Sequence, residues 1–204
     1  MQELDSAQPP SPTSAPSPTS AAPPSVGTSE SSPIPYYAVS PNKLITLTIC
    51  TLNIYAVYWL YRQWTALRWH GNRLREISPF GRAVFGVFFI HDLFRHIRSS
   101  AQQAGVATAV DLSSQATIWV VSVVLANLLS RAKTSIAVLG ILIGLVAAFP
   151  LAAAQREINA YLRKHDDKAD LNAGYSAVNI VVIVLGAIFL ALGVWGSLFP
   201  PPNG

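Results

Sequence analysis

The stretch AVNIVVIVLGAIFLALGVWGSLF, Ala177 to Phe199, runs for 23 residues without one ionisable side chain. A helix rises about 1.5 Å per residue, so roughly 20 apolar residues match a hydrocarbon core of about 30 Å. A core helix of a soluble domain would be shorter and would keep a polar face. Upstream, TSIAVLGILIGLVAAFPLAAA, Thr134 to Ala154, is a second uncharged run of 21 residues. The two runs predict an all-α, multi-pass membrane protein.

Composition agrees. Hydrophobic residues make up 51% of the chain and charged residues 12%, against roughly a quarter charged in a soluble domain. The single cysteine, Cys50, excludes an intrachain disulfide and a Cys-rich metal or iron–sulfur site, and its apolar setting predicts a packing thiol. Residues 1–35 are a tail of Pro, Ser, Thr and Ala that buries too little apolar surface to offset ordering entropy, so disorder with polyproline II character is expected. The chain opens with no basic segment, and no cleavable signal is expected. The domain plan is this tail, a helical membrane domain over 36–199, and a short C-terminal tail over 200–204.

Four segments can span: 44–61, 112–130, 134–154 and 177–199. Pro150 lacks the N–H that would bond the carbonyl of Val146, and it should kink the third span there. Between the first two spans, RAVFGVFFIHDLFRHI, from Arg82 to Ile97, has an apolar core too short to cross. It is expected to form an amphipathic helix over about 82–98, interfacial or shallowly re-entrant. With four spans, eleven Lys and Arg fall on one side and three on the other, which puts both termini outside and the two large loops in the cytoplasm.

From Tyr55 to Trp69 the chain reads YAVYWLYRQWTALRW. Tyr55, Tyr58, Trp59, Tyr61 and Trp64 predict an interfacial aromatic belt, because phenol and indole rings favour the headgroup level. Arg62, Arg68, Arg73 and Arg75 are the candidate lipid or anion contacts. Gly140 and Gly144 form a small-residue pair for close helix packing, expected within the chain rather than between copies. Asn53, Asn127 and Asn179 are expected to hydrogen-bond between helices.

Asp92 and His96 lie four apart on one helix face beside His91, but two ligands without a spaced third make no metal site. Salt bridging to Arg95 or Arg98 is expected instead. Gly174-Tyr175-Ser176 resembles an intramembrane serine nucleophile, yet no histidine follows it, so Ser176 is expected to cap the last span. No zinc-protease, phosphate-loop or dinucleotide motif occurs. Neither enzymatic activity nor a metal, cofactor or nucleic-acid partner is expected.

The segment Thr51-Leu-Asn53-Ile-Tyr55-Ala-Val-Tyr58-Trp59-Leu-Tyr61, with Pro79-Phe80-Gly-Arg82 and Gln155-Arg-Glu-Ile158-Asn159, resembles small bacterial multi-pass membrane proteins of unassigned activity. Their signature is Thr-x-Gly-x-Tyr-x-x-Tyr-Trp-x-Tyr, from which Asn53 departs. The resemblance implies a bacterial inner (cytoplasmic) membrane location and nothing catalytic. The expected function is a non-enzymatic scaffold or partner-binding subunit. Its Arg-rich cytoplasmic face would meet the bilayer's anionic lipid headgroups, a protein partner or a second copy of the chain. A small transporter or channel subunit acting as an oligomer is the alternative, and it requires the three asparagines to face a common interior.

Overall fold

A computed structural model describes residues 36–70, 76–108, 110–131 and 134–198. The expectations for the N-terminal tail, the C-terminal tail, Arg73 and Arg75 lie outside these. Among the described residues the chain is all-helical, with α1 Pro41–Cys50, α2 Ile54–His70, α3 Pro79–Val84, α4 Gly86–Gln103, α5 Leu112–Leu129, α6 Thr134–Val146, α7 Ala148–His165 and α8 Ala177–Leu198. Three segments among the described residues are long and apolar enough to cross a membrane: Leu112–Leu129, Val138–His165 and Ala177–Gly196.

The run 44–61, expected as the first span, is not one helix. It breaks at Thr51–Asn53, where Leu52 and Asn53 take φ of 49° and 71°, the left-handed region that asparagine tolerates better than most residues. The break satisfies its own backbone: Asn53 N donates to Thr48 O, and Tyr55 N donates to Thr51 Oγ1.

Both ends of this run meet at one end of the helical body. The Arg62 guanidinium lies 4.5 Å from the Tyr37 ring centroid, and Asn172 links Tyr37 Oη to Lys43 Nζ. The α1–α2 pair therefore reverses, and its tip reaches the level of Gly144, whose carbonyl accepts Asn53 Nδ2 at 3.0 Å, and of Gly186, which presses on the Cys50 carbonyl.

The segment 82–98 belongs to a second reversal. Phe85 separates α3 from α4, and α4 runs antiparallel along α5, with His91 beside Thr117 and Arg98 beside Asp111. Its apolar stripe of Ile90, Leu93, Phe94, Ile97 and Ala101 faces the protein core, while Phe80, Val84, Phe85 and Phe88 are exposed.

Helix α7 is the hub, packing against α1, α4 and α5. Its small residues Ala148, Ala152 and Ala154 let neighbours approach, and Leu151, Ile158 and Tyr161 complete the core. The helix ladder breaks at Ala147 as Pro150 predicts, so α6 and α7 are distinct helices within one long apolar segment. At Gly140 an added Cβ would lie 3.0 Å from the Ala126 carbonyl, so α6 and α5 pack within the chain. Gly144 faces Ala126 and Asn53 in the same seam.

Candidate functional site

An extended segment, Tyr36 to Ser40, precedes α1 and lies against α2 and α7. Among the described residues no sheet edge is present to satisfy its backbone, and carboxamides take that role. Gln63 Oε1 accepts from Tyr37 N at 3.1 Å while Gln63 Nε2 donates to Tyr37 O at 3.1 Å. Gln155 Nε2 donates to Tyr37 O at 3.2 Å and to Asn159 Oδ1 at 2.8 Å, and Asn159 Nδ2 donates to Val39 O at 3.0 Å. Gln155 Oε1 accepts from the Trp59 indole at 2.6 Å and from Gln63 Nε2 at 3.3 Å. Trp59, Gln63 and Gln155 are 0% exposed, so the bonds among these side chains and Asn159 are sheltered from water, while those to half-buried Tyr37 are partly so. Tyr36 closes the segment, with its hydroxyl on Ser100 Oγ at 2.9 Å, and burial pushes its phenol above the ordinary range.

The clamp divides the expected aromatic belt. Trp59 and Trp64 are core residues, whereas Tyr58, Tyr61 and Trp69 are exposed and Tyr55 is half-buried. At 3.6 residues per turn, positions 59, 60, 63, 64 and 67 form the inward stripe of α2, so the two tryptophans turn away from solvent. Arg62 and Arg68 lie on the exposed side. Arg62 donates to Tyr58 Oη at 2.9 Å, and Arg82 stacks on Trp64 and Phe89 at 4.4 and 4.9 Å. Arg82 also holds Asp92 at 2.9 Å; Arg95 and His96 lie farther from that carboxylate, at 3.9 and 3.8 Å. Asp92 thus pairs chiefly with an arginine ten residues upstream, on α3. That partner is out of reach of a helix-spacing argument.

A cleft of about 420 Å³ opens beside the clamp, where the first turns of α1 and α8 converge. Lys43, 4% exposed, projects into it and donates to Asn172 Oδ1 at 2.9 Å and Gly174 O at 2.6 Å. Tyr37 and Tyr55 share a hydroxyl contact of 3.3 Å on its wall, next to Tyr58. Ser176 Oγ accepts from Asn179 N at 3.3 Å, which bears out its capping role. Sequence reading placed no function on Lys43. Its signal was a cation in an otherwise uncharged first turn, and its surroundings come from residues 129 and 131 positions away.

The asparagines divide. Asn53 makes the expected interhelical bond, but Asn127 is exposed and donates to Val123 O on its own helix, so the expected bond between helices does not form there. Those two line one cleft of about 270 Å³, while Asn179 lines the Lys43 cleft. Glu157, 6% exposed, is a buried carboxylate that sequence reading also passed over. It lies within electrostatic reach of Arg98 and Asp111. At the start of α5, Asp111 accepts from Ser113 N, Ser114 N and Ser114 Oγ, and these bonds, with Ser114 first, hold its carboxyl below the ordinary range. Comparison with family models, curated proteins and solved structures yields no match.

Proposed function

We propose that this chain is a non-catalytic subunit of a bacterial cytoplasmic membrane, with α5, α6–α7 and α8 as its three crossings and α1–α2 inserted as a re-entrant hairpin. The reversal at Thr51–Asn53 carries this reading, because it brings Lys43 and Arg62 to one end of the body. At ten residues, α1 is about 15 Å long, half of a hydrocarbon core of about 30 Å. Broken helices are tolerated at that depth where protein satisfies the freed backbone, as Thr48 O does for Asn53 N and Thr51 Oγ1 for Tyr55 N here.

The charge distribution supports the same layout. Three crossings leave twelve of the fourteen Lys and Arg on one side, with Arg131 and Lys133 alone on the other. The four-span layout gives eleven and three, so the positive-inside rule favours three crossings, a cytoplasmic N-terminus and an external C-terminus. On the cytoplasmic face, Arg62 and Arg68 on the exposed side of α2, with Tyr58 and Tyr61, would meet anionic headgroups and serve as the docking surface of a scaffold.

The two layouts differ in the side of the N-terminus. In a Cys50→Ser background, single cysteines at Ser17, Ser100, Ser135 and Asn203 are exposed to an impermeant thiol label in spheroplasts. Three crossings give labelling at Ser135 and Asn203 only. Labelling at Ser17 as well would restore the fourth span and refute the re-entrant hairpin.

A further inference from the structure

We propose that the cleft between the N-terminal ends of α1 and α8 binds one anionic oxygen group, a carboxylate or phosphate, on Lys43. Among the described residues no carboxylate is paired with the cation in this cleft. Lys43 is buried, and none of the ion pairs among the described residues includes it. An ammonium has three donors, and its protein acceptors here are neutral, Asn172 Oδ1 and Gly174 O. The Tyr175 ring adds a cation–π contact at 5.9 Å, at the outer limit of such contacts, and a buried cation held by neutral groups alone is costly unless an anion joins it.

Helix dipoles sharpen the requirement. Lys43 lies in the first turn of α1, where the peptide dipoles present positive charge and disfavour a cation. No side chain caps that end, and the 22-residue α8 points its own N-terminus at the same cleft. Three sources of positive potential thus converge on a cavity of about 420 Å³. Its wall supplies donors suited to an anion. Tyr58 Oη already accepts from Arg62 and so has its hydrogen to give, and the Tyr37–Tyr55 hydroxyl pair has one hydrogen beyond the bond they share. The remaining wall includes Leu47 and Val182, so the cleft suits a small organic anion or the acidic head of an amphiphile.

The test uses the full chain in non-ionic detergent. One arm is equilibrium dialysis against radiolabelled inorganic phosphate at constant ionic strength. The other is native mass spectrometry after exchange into phosphatidylcholine nanodiscs with or without phosphatidylglycerol. The expected result is one phosphate or one phosphatidylglycerol retained per chain, with Lys43→Met weakening retention about tenfold or more. Phosphate binding without lipid retention assigns a soluble anion, and lipid retention without phosphate binding assigns a headgroup. In anion-free detergent Lys43→Met should melt about as wild type does, since no ion pair is lost and the acceptors left behind, on half-buried Asn172 and exposed Gly174, are open to water. Val182→Phe narrows the cleft and leaves the partners of Lys43 in place, and it should also abolish retention. Failure of wild type to bind either probe overturns the proposal, as does undiminished binding in folded Lys43→Met. Should that variant not fold, undiminished binding in Val182→Phe does the same.

Discussion

Replacing Gln155 with leucine keeps the volume of the side chain and removes four hydrogen bonds at once. Two of the partners have a second bond to fall back on: Tyr37 O keeps Gln63, and Gln63 Nε2 keeps Tyr37 O. The other two lose the bond that satisfies them, the Trp59 indole N–H at 2.6 Å and Asn159 Oδ1 at 2.8 Å. Trp59 is 0% exposed and Asn159 6%, so water cannot stand in for the glutamine. An orphaned buried polar group costs about 1–3 kcal/mol, so the two together predict a loss of about 2–6 kcal/mol. That is a large share of the roughly 5–15 kcal/mol that holds a domain together. The assay is reversible unfolding in mixed micelles, followed by tryptophan emission. Asn127→Leu serves as control, because Asn127 is exposed and bonds only its own helix, so it should change stability by less than about 0.5 kcal/mol. A Gln155→Leu protein as stable as that control would refute the view that the carboxamide clamp fixes the N-terminal segment.

Three further outcomes are expected. Gly186→Val places a methyl against the Cys50 carbonyl and should detach α8 from α1, read as protease sensitivity of the loop before α8, whereas Gly196→Val meets nothing and should be neutral. Arg82→Gln loses the Asp92 pair and the faces of Trp64 and Phe89, for about 1–3 kcal/mol in the same unfolding assay, while Arg95→Gln, 76% exposed and 3.9 Å from Asp92, should cost almost nothing. The folded-state carboxyl of Asp111 is held below its unfolded value, so its stabilisation is present above the ordinary carboxylate range and is lost as pH falls through the lowered folded value. Asp111→Asn should flatten that acid limb in a stability–pH series, and an unchanged limb would remove the α5 cap from the account.

Much of the membrane character was legible because it depends on local quantities. Run length and the absence of charge mark α5, the α6–α7 segment and α8, and a missing N–H at Pro150 sets the break after Val146 without reference to anything distant. The Gly140 and Gly144 pair pointed correctly to close packing for the same reason, since small size is a property of the residue itself.

The 44–61 run shows where locality ends. Its composition suits a continuous helix, but the chain breaks at Thr51–Asn53, and the side chain of Asn53 is held there by the Gly144 carbonyl from 91 residues away. The side chains read as interfacial, Trp59 and Trp64, became core residues because Gln155 and the α4 stripe lie opposite them, and sequence alone does not record that opposition. By itself the sequence determined that the segments of α5, α6–α7 and α8 are apolar and helical at membrane length, while it also offered 44–61, which the structure breaks into two helices. Only the tertiary structure decided that Lys43 and Arg62 share an end and that Lys43 meets no carboxylate among its hydrogen-bond partners, because pairing of buried polar groups is a property of distant segments brought together.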